Sequence, residues 1–388
     1  MKTADVIVVG LGAAGAAALY QLARRGVKAI GIDRFSPPHD QGSSHGETRI
    51  TRIGVGEGAP YPPLARRSHE IWRKLEAETG EDLLLQCGAL ILGPRGGRLH
   101  GRADFVGYTI EMARKFDVEH EVLEAAEIGA RYPQLRLNGD EAGYFEPGAG
   151  LVYPERCIAA QLALARRLGA EIVTGAAVSA IERIGGGLRV VSGAETYEAA
   201  EVILAAGAWT PALVGAPLKA LAIQPQALHW FAAEQPELYS SDRFPVFIWM
   251  HGPALDDLFY GFPIPPGPAL QAVKVATESF ASIASPDGFD RSVPLALAEH
   301  VFRRHITGRL RGLRPDAVKS VRCLYTMAPD GDFVIDRLED SGVILASACS
   351  GHGFKHSAAV GEMLADAATE PGWIAPEAFR LERFSQIV

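Results

Sequence analysis

The chain has 388 residues, 48% of them hydrophobic and 22% charged, with scattered rather than periodic glycine and proline; this excludes a fibre or a disordered tail and suits about two to three globular domains of roughly 150 residues each. Acidic residues outnumber lysine and arginine 46 to 38, a net charge of −8, so a nucleic-acid role would need a local basic patch, and the sequence has none. The four cysteines, Cys87, Cys157, Cys323 and Cys349, lie far apart with no C-x-x-C spacing, which excludes a disulfide scaffold, offers no metal site and fits a reducing, cytoplasmic compartment.

At the start, Lys2 and the apolar run 6–20 imitate a secretory leader. The run is too short for a bilayer, and its glycines have a better explanation, so neither a leader nor a membrane segment is expected. Val6 to Val9 is continuously apolar, as in a strand buried on both faces, and it leads into Gly10-Leu11-Gly12-Ala13-Ala14-Gly15 and an Ala/Leu helix. In such a βα unit Gly10 permits the tight turn, Gly12 leaves room for a pyrophosphate, and Gly15 lets helix and sheet approach, with helix N-terminal amides facing the anion. A second strand at 27–32 ends in Asp33, 23 residues after Gly10, where a carboxylate can accept hydrogen bonds from ribose hydroxyls. Dinucleotide binding follows. NAD and FAD are not distinguished, because both present the same ADP half.

After Asp33 the chain departs from a nicotinamide dehydrogenase. Pro37-Pro38-His39 and the loop 42–49 replace the next helix and strand, and the next strand of this sheet is expected only at 171–173. Between them are helices near 68–79 and 103–116 and a strand near 89–92. The strand at 201–209 ends in small residues, where backbone can approach a cofactor. Strands at 228–232, 246–250, 258–262 and 269–276 suggest a largely antiparallel sheet, followed by an Arg-rich helical region at 295–313. The chain closes with strands at 321–325, 333–336 and 342–347, the glycine turn Gly351-His352-Gly353-Phe354-Lys355, and a helix from about Ser357. The expected fold is α/β: a Rossmann-like domain (1–85, 150–218, 320–388) interleaved with an α+β substrate domain (86–149, 219–319).

Four pieces in order, the N-terminal fingerprint, Ser44-His45-Gly46-Glu47-Thr48-Arg49-Ile50-Thr51-Arg52, Cys323-Leu324-Tyr325-Thr326 and Ser350-Gly351-His352-Gly353-Phe354-Lys355, make the chain resemble, nearly end to end, the monomeric sarcosine oxidase and N-methyl-amino-acid oxidase group of FAD-dependent amine oxidases, within the D-amino-acid-oxidase-like superfamily. The resemblance implies FAD held by Gly10, Gly12, Gly15, Asp33, Ser44, His45, Thr48, Arg49, Val178, Gly207, Gly351, Gly353, Phe354 and Lys355, and joined covalently through Cys323. It implies Arg52 and Lys355 on a substrate carboxylate, with Lys274, Arg49, His352 and Tyr325 catalytic. It also implies a monomer that oxidises a secondary or cyclic α-amino acid, sarcosine first, to an imine while O2 becomes H2O2.

The residues themselves leave alternatives open. Cys323 can be an ordinary buried thiol; on a strand it shares a face with Tyr325, away from Arg322 and Leu324, so any activating charge must come from elsewhere, and by resemblance His45 and Arg49 supply it. Lys274, among apolar β residues, either projects to solvent or is functional; the resemblance makes it the cation that promotes electron transfer to oxygen. The segment 263–268 looks longer than the family loop, Glu278 stands where sarcosine-specific members have histidine, and Ala328 replaces a usual threonine, which leaves the substrate open. His356 reads as structural. A dehydrogenase with another electron acceptor and a catalytically silent flavoprotein are the rival readings.

Overall fold

The computed structural model describes residues 2–99, 103–215, 218, 220–267, 270–338 and 341–384. Its first sheet is built on parallel strands in the order 171–173, 29–32, 2–9, 195–204, 344–347, with the first strand, Lys2–Val9, at the centre. Alternation along that strand explains its unbroken apolar sequence. Val6 and Val8 pack with the helices Ala13–Arg24, Tyr61–Thr79, Pro154–Arg167 and Ser357–Thr369 on one face. Ile7 and Val9 pack on the other, against the antiparallel ribbon Ala180–Ile184 and Gly187–Ser192. The strand expected at 171–173 is present and pairs with Ala29–Ile32.

The second sheet has eight strands in the order 313–327, 222–233, 272–276, 258–262, 246–250, 89–94, 141–146, 121–124, antiparallel throughout except where 246–250 runs parallel to 89–94. The largely antiparallel sheet is thus as expected. Ala269, the first residue of the strand expected at 269–276, lies outside the described residues, and the strand observed is Ala272–Ala276. The proposed boundary at 319/320 falls inside the long strand Leu313–Met327, which belongs to this sheet. The helical region expected at 295–313 stops at Ile306, and Gly308 and Gly312, both at positive φ, turn the chain into that strand. A small sheet of 49–51, 150–152 and 84–86 carries Arg49 at its edge.

Register decides what the second sheet presents. Directly opposed residues of antiparallel strands share a face, so Trp230, Lys274 and Phe262 form one row, and Leu228, Ala276 and Tyr260 the next. Alternation puts Val273 and Val275 on the far side, in a core with Phe231, Phe247 and Phe259. The near face roofs a cleft above the first sheet. Among the described residues no helix is long and apolar enough to cross a membrane.

Candidate active site

Two cavities, of about 330 Å³ and about 120 Å³, share Ala13, Ala14, Ser43, Ser44, Ala348 and Cys349 in their walls and so form one elongated cleft. The larger runs from Asp33, Val178 and Gly207 along Gly10 and Gly12. Gly10 has φ +88°, and a Cβ there would come within 2.5 Å of the Ala205 carbonyl oxygen. A Cβ on Gly15 would overlap the Gly10 carbonyl, so this glycine sets the approach of helix to strand and does not line the cavity. At Gly12 the situation is reversed: a Cβ would meet only Ser44 Oγ, at 3.7 Å, and would stand in the cavity itself. This is a cradle that a side chain would fill, and a pyrophosphate fits it at the start of the helix Ala13–Arg24. Asp33 accepts from the Leu11 and Phe35 amides, each at 2.7 Å, so the acid that faces the ribose position also fixes the glycine turn.

The smaller cavity is the chemically distinctive end. Arg49, Arg52, Lys274, Tyr325, Gly351, His352, Gly353, Phe354 and Lys355 all line it, joined by Glu57, Tyr260 and Glu278. Lys274 is 2% exposed, so the solvent reading of its sequence pattern fails. Its Nζ donates to the carbonyls of Gly46 (2.9 Å) and Thr48 (2.5 Å) and stands 3.7 Å from the centre of the Phe262 ring. Burial, and then Arg49, push its pKa far down. The loop it grips is held from below by Glu155, which accepts from the amides of Gly46 (2.6 Å) and Glu47 (3.0 Å). Arg49 donates to the carbonyls of Thr48 and Ser43.

Arg52 and Lys355 meet around an internal acid. Arg52 Nη2 lies 2.9 Å and 3.2 Å from the two Glu57 carboxylate oxygens, and Lys355 Nζ donates to Glu57 Oε1 at 3.1 Å and to the His352 carbonyl at 3.0 Å. Arg52, Glu57 and Lys355 are 1%, 3% and 5% exposed. Two buried cations thus share one anion, leaving an excess positive charge that burial makes costly. Burial lowers the Lys355 pKa to about 8, with Glu57 opposing and Arg52 reinforcing the shift. A second carboxylate would balance the charge.

Around these groups the Tyr260 and Tyr325 hydroxyls are 3.1 Å apart. His352 stacks on Phe333 with ring centres 4.9 Å apart, and its Nε2 lies 3.0 Å from the Gly331 carbonyl, so Nε2 carries the hydrogen. His356, read as structural, is fully buried beside Tyr61 and Phe333.

His45, Thr48 and Cys323 line neither cavity. Thr48 serves through its carbonyl. His45 corrects an expectation: burial, reinforced by Arg49, lowers its pKa to about 4, so it is neutral near pH 7 and the positive charge on this side comes from Arg49. Cys323 is 2% exposed. Burial raises its thiol to about 11, with Arg49 and Lys274 pulling it down and Cys349 pushing it up. Glu57, Tyr260 and Glu155 were missed by the sequence reading. Glu57 is one acid in a glycine-rich loop, Tyr260 an ordinary aromatic strand residue, and Glu155 an acid at a helix start; none carries a local signal of its role.

Over residues 5–367 the sequence matches the family described as FAD dependent oxidoreductase. It is 36% identical to the monomeric sarcosine oxidase of Streptomyces avermitilis across 94% of each chain. It is 33% identical to the N-methyl-L-tryptophan oxidase of Yersinia pestis across 98% of this chain and 99% of that one. In fold it is similar to NikD, an unusual amino acid oxidase essential for nikkomycin biosynthesis, with a TM-score of 0.83 over 97% of this chain and 96% of that one at 24% identity.

Proposed function

The chain belongs to the FAD-dependent oxidoreductase family, and on that premise we propose that it is an oxidase of secondary or cyclic α-amino acids, N-methyl amino acids such as sarcosine first, that converts the amine to an imine and O2 to H2O2. The observation that carries the carboxylate-bearing substrate is the buried Arg52–Glu57–Lys355 cluster, two cations on one anion in the wall of the cavity that also holds Lys274 and Tyr325. When bound, FAD supplies the two-electron acceptor that takes a hydride equivalent from the carbon beside the substrate nitrogen and passes the electrons to O2.

The protein's own groups have separable tasks. Gly10, Gly12, Asp33, Ser44, Val178 and Gly207 hold the ADP half, with Gly15 setting the helix against the strand. Arg49, Gly351, Gly353, Phe354 and Lys355 line the ring end, with Thr48 and His45 in the loop that supports it. Arg52 offers a planar fork to the substrate carboxylate, and Lys355 a point charge, as Glu57 yields its bonds. Tyr260, Tyr325 and His352 wall the reacting carbon from water. Positive charge at Arg49, with the Lys274 amine held beside it on the Gly46 and Thr48 carbonyls, favours the electron-rich states of the reaction and the reduction of oxygen. The imine leaves the protein and is hydrolysed by water. The proposal includes a monomer working in the cytoplasm.

Covalent attachment of FAD through Cys323 belongs to the same reading. It needs the thiolate, which Arg49 and Lys274 favour against burial, so it is expected to form slowly after FAD is seated. Acid-precipitated protein should stay yellow, and Cys323→Ala should release its flavin into the supernatant; a colourless wild-type pellet refutes the linkage. Oxygen electrode traces with sarcosine should show uptake matched by peroxide. Flavin reduction by substrate without oxygen uptake would instead identify a dehydrogenase.

A further inference from the structure

Between the roof strand Ala272–Ala276 and the helix Leu295–Val301 the chain runs for 18 residues, 277–294, outside the helices and strands. A connection of that length without regular structure is uncommon in a compact domain and usually serves a function. It follows the cleft: Glu278, near its start, lines the ring-end cavity, and Asp287, farther on, lines the nucleotide-end cavity. Its two halves are held differently. The first is bonded to the roof. Thr277 donates to the Leu258 carbonyl at 2.7 Å, the Ser279 amide and carbonyl exchange hydrogen bonds with the buried Gln226 side chain at 2.8 Å and 2.7 Å, and the Ile283 amide donates to the Ile223 carbonyl at 2.8 Å. The second half crosses to the first domain. A turn at Asp287-Gly288, with Gly288 at φ +73°, presents Asp287 Oδ1 to Trp209 Nε1 at 2.8 Å and Arg34 Nη1 at 2.7 Å, and Arg291 donates to the Gln41 carbonyl at 2.5 Å. Trp209 and Arg34 line the nucleotide-end cavity as well, and the Trp209 ring packs edge-on against Phe35 with centres 5.5 Å apart. The Asp287 and Arg34 side chains are 56% and 43% exposed. Water therefore screens their attraction, and this end opens more readily than the backbone bonds at the root.

We propose that residues 284–292 are a strap across the cleft, hinged on the roof at 279–283 and latched to the first domain by Asp287, and that FAD enters and leaves when the latch opens. A cofactor that spans both cavities passes a segment that touches both, and its ADP half must reach Gly12 and Asp33 in the cavity that Asp287 walls. The latch bonds join protein to protein, so opening them costs the same whether FAD is arriving or departing. Weakening the latch therefore quickens both passages. The strap rests on FAD binding and is independent of which amine is oxidised.

The test measures FAD exchange in Cys323→Ala protein, where the proposed covalent bond cannot hold the flavin. Uptake by the FAD-free form and release from the loaded form on dilution are both followed by flavin fluorescence. Adding Asp287→Ala should quicken uptake and release alike, each by about tenfold, and leave the affinity nearly unchanged. Trp209→Phe, which keeps a ring against Phe35 and removes the donor, should quicken both by a smaller factor and add nothing once Asp287→Ala is present. Trypsin gives a readout that needs no cofactor. Arg291 is the one lysine or arginine between Lys274 and Arg303 in the sequence, and cleavage after it should quicken by a similar factor in Asp287→Ala. Faster release with unchanged uptake would make Asp287 a direct contact of FAD and overturn the strap. If the parent and the Asp287→Ala protein exchange FAD at equal rates, the strap alone falls. If neither takes up FAD, the flavin reading falls and the strap falls with it.

Discussion

The two ends of the cleft are built by different means. At the nucleotide end, recognition is made by backbone and by missing side chains: Gly10, Gly12 and Gly15, the amides at a helix start, and Asp33, whose carboxylate braces the turn. Its main parts lie within one continuous βαβ segment. At the ring end, recognition is made by charged side chains taken out of water, from pieces up to about 300 residues apart in sequence, as in the Lys355–Glu57 bond with its separation of 298. A backbone cradle is cheap to bury because its donors are aimed outward by the fold. A cluster of buried cations is costly, and the protein stabilises each one separately: Lys274 on two carbonyls and an aromatic face, Arg52 and Lys355 on a shared acid. Changes at the first end should therefore act on cofactor retention, and changes at the second on chemistry and charge.

The sharpest way to break this contrast is within the fingerprint itself. Gly15→Ala forces helix from strand and should lower stability by about 1–3 kcal/mol, with loss of FAD, whereas Gly12→Ala should leave the thermal midpoint of the FAD-free protein unchanged and still lose FAD. Equal destabilisation by both would show that Gly12 is structural. At the other end, Lys274→Met should keep flavin and reduction by substrate but slow reoxidation by O2 by about a hundredfold, seen by stopped flow; equal slowing of both half-reactions would contradict the role. Arg52→Ala should weaken carboxylate substrates by about tenfold or more and spare the corresponding amides, and uniform weakening would remove the fork. The smallest effect concerns pH. Lys355, with its pKa at about 8, carries its charge below that value and loses it above, so the affinity for a carboxylate ligand without an amine should fall by up to about tenfold as pH rises through 8. Lys355→Gln should flatten the profile, and an unchanged inflection would assign it elsewhere.

The same contrast explains what could be read from sequence. The nucleotide end was legible because each part sits at a fixed offset from the last: strand, glycines, helix, second strand, acid. The antiparallel roof was legible as spaced β runs. Lys274 was ambiguous by pattern, because alternation says that a side chain leaves the strand and not whether it meets water; the row Trp230, Lys274, Phe262 appears only once three strands are in register. Glu57 was invisible, since its importance is the meeting of Arg52, five residues before it, with Lys355, 298 after it. His45 was placed rightly in the loop yet assigned a charge that burial removes. The helix expected to reach 313 failed because composition carried the pattern past Gly308, where the backbone turns.

The central claim is that the cleft holds a flavin which a carboxylate-bearing secondary amine reduces. Anaerobic titration of the purified protein with sarcosine and its N-methyl homologues tests it most directly. The account predicts a yellow protein whose visible flavin band bleaches completely, with one equivalent of peroxide released when air is admitted. A protein that neither carries nor takes up FAD, or a bound flavin that stays oxidised through the whole series, would contradict it.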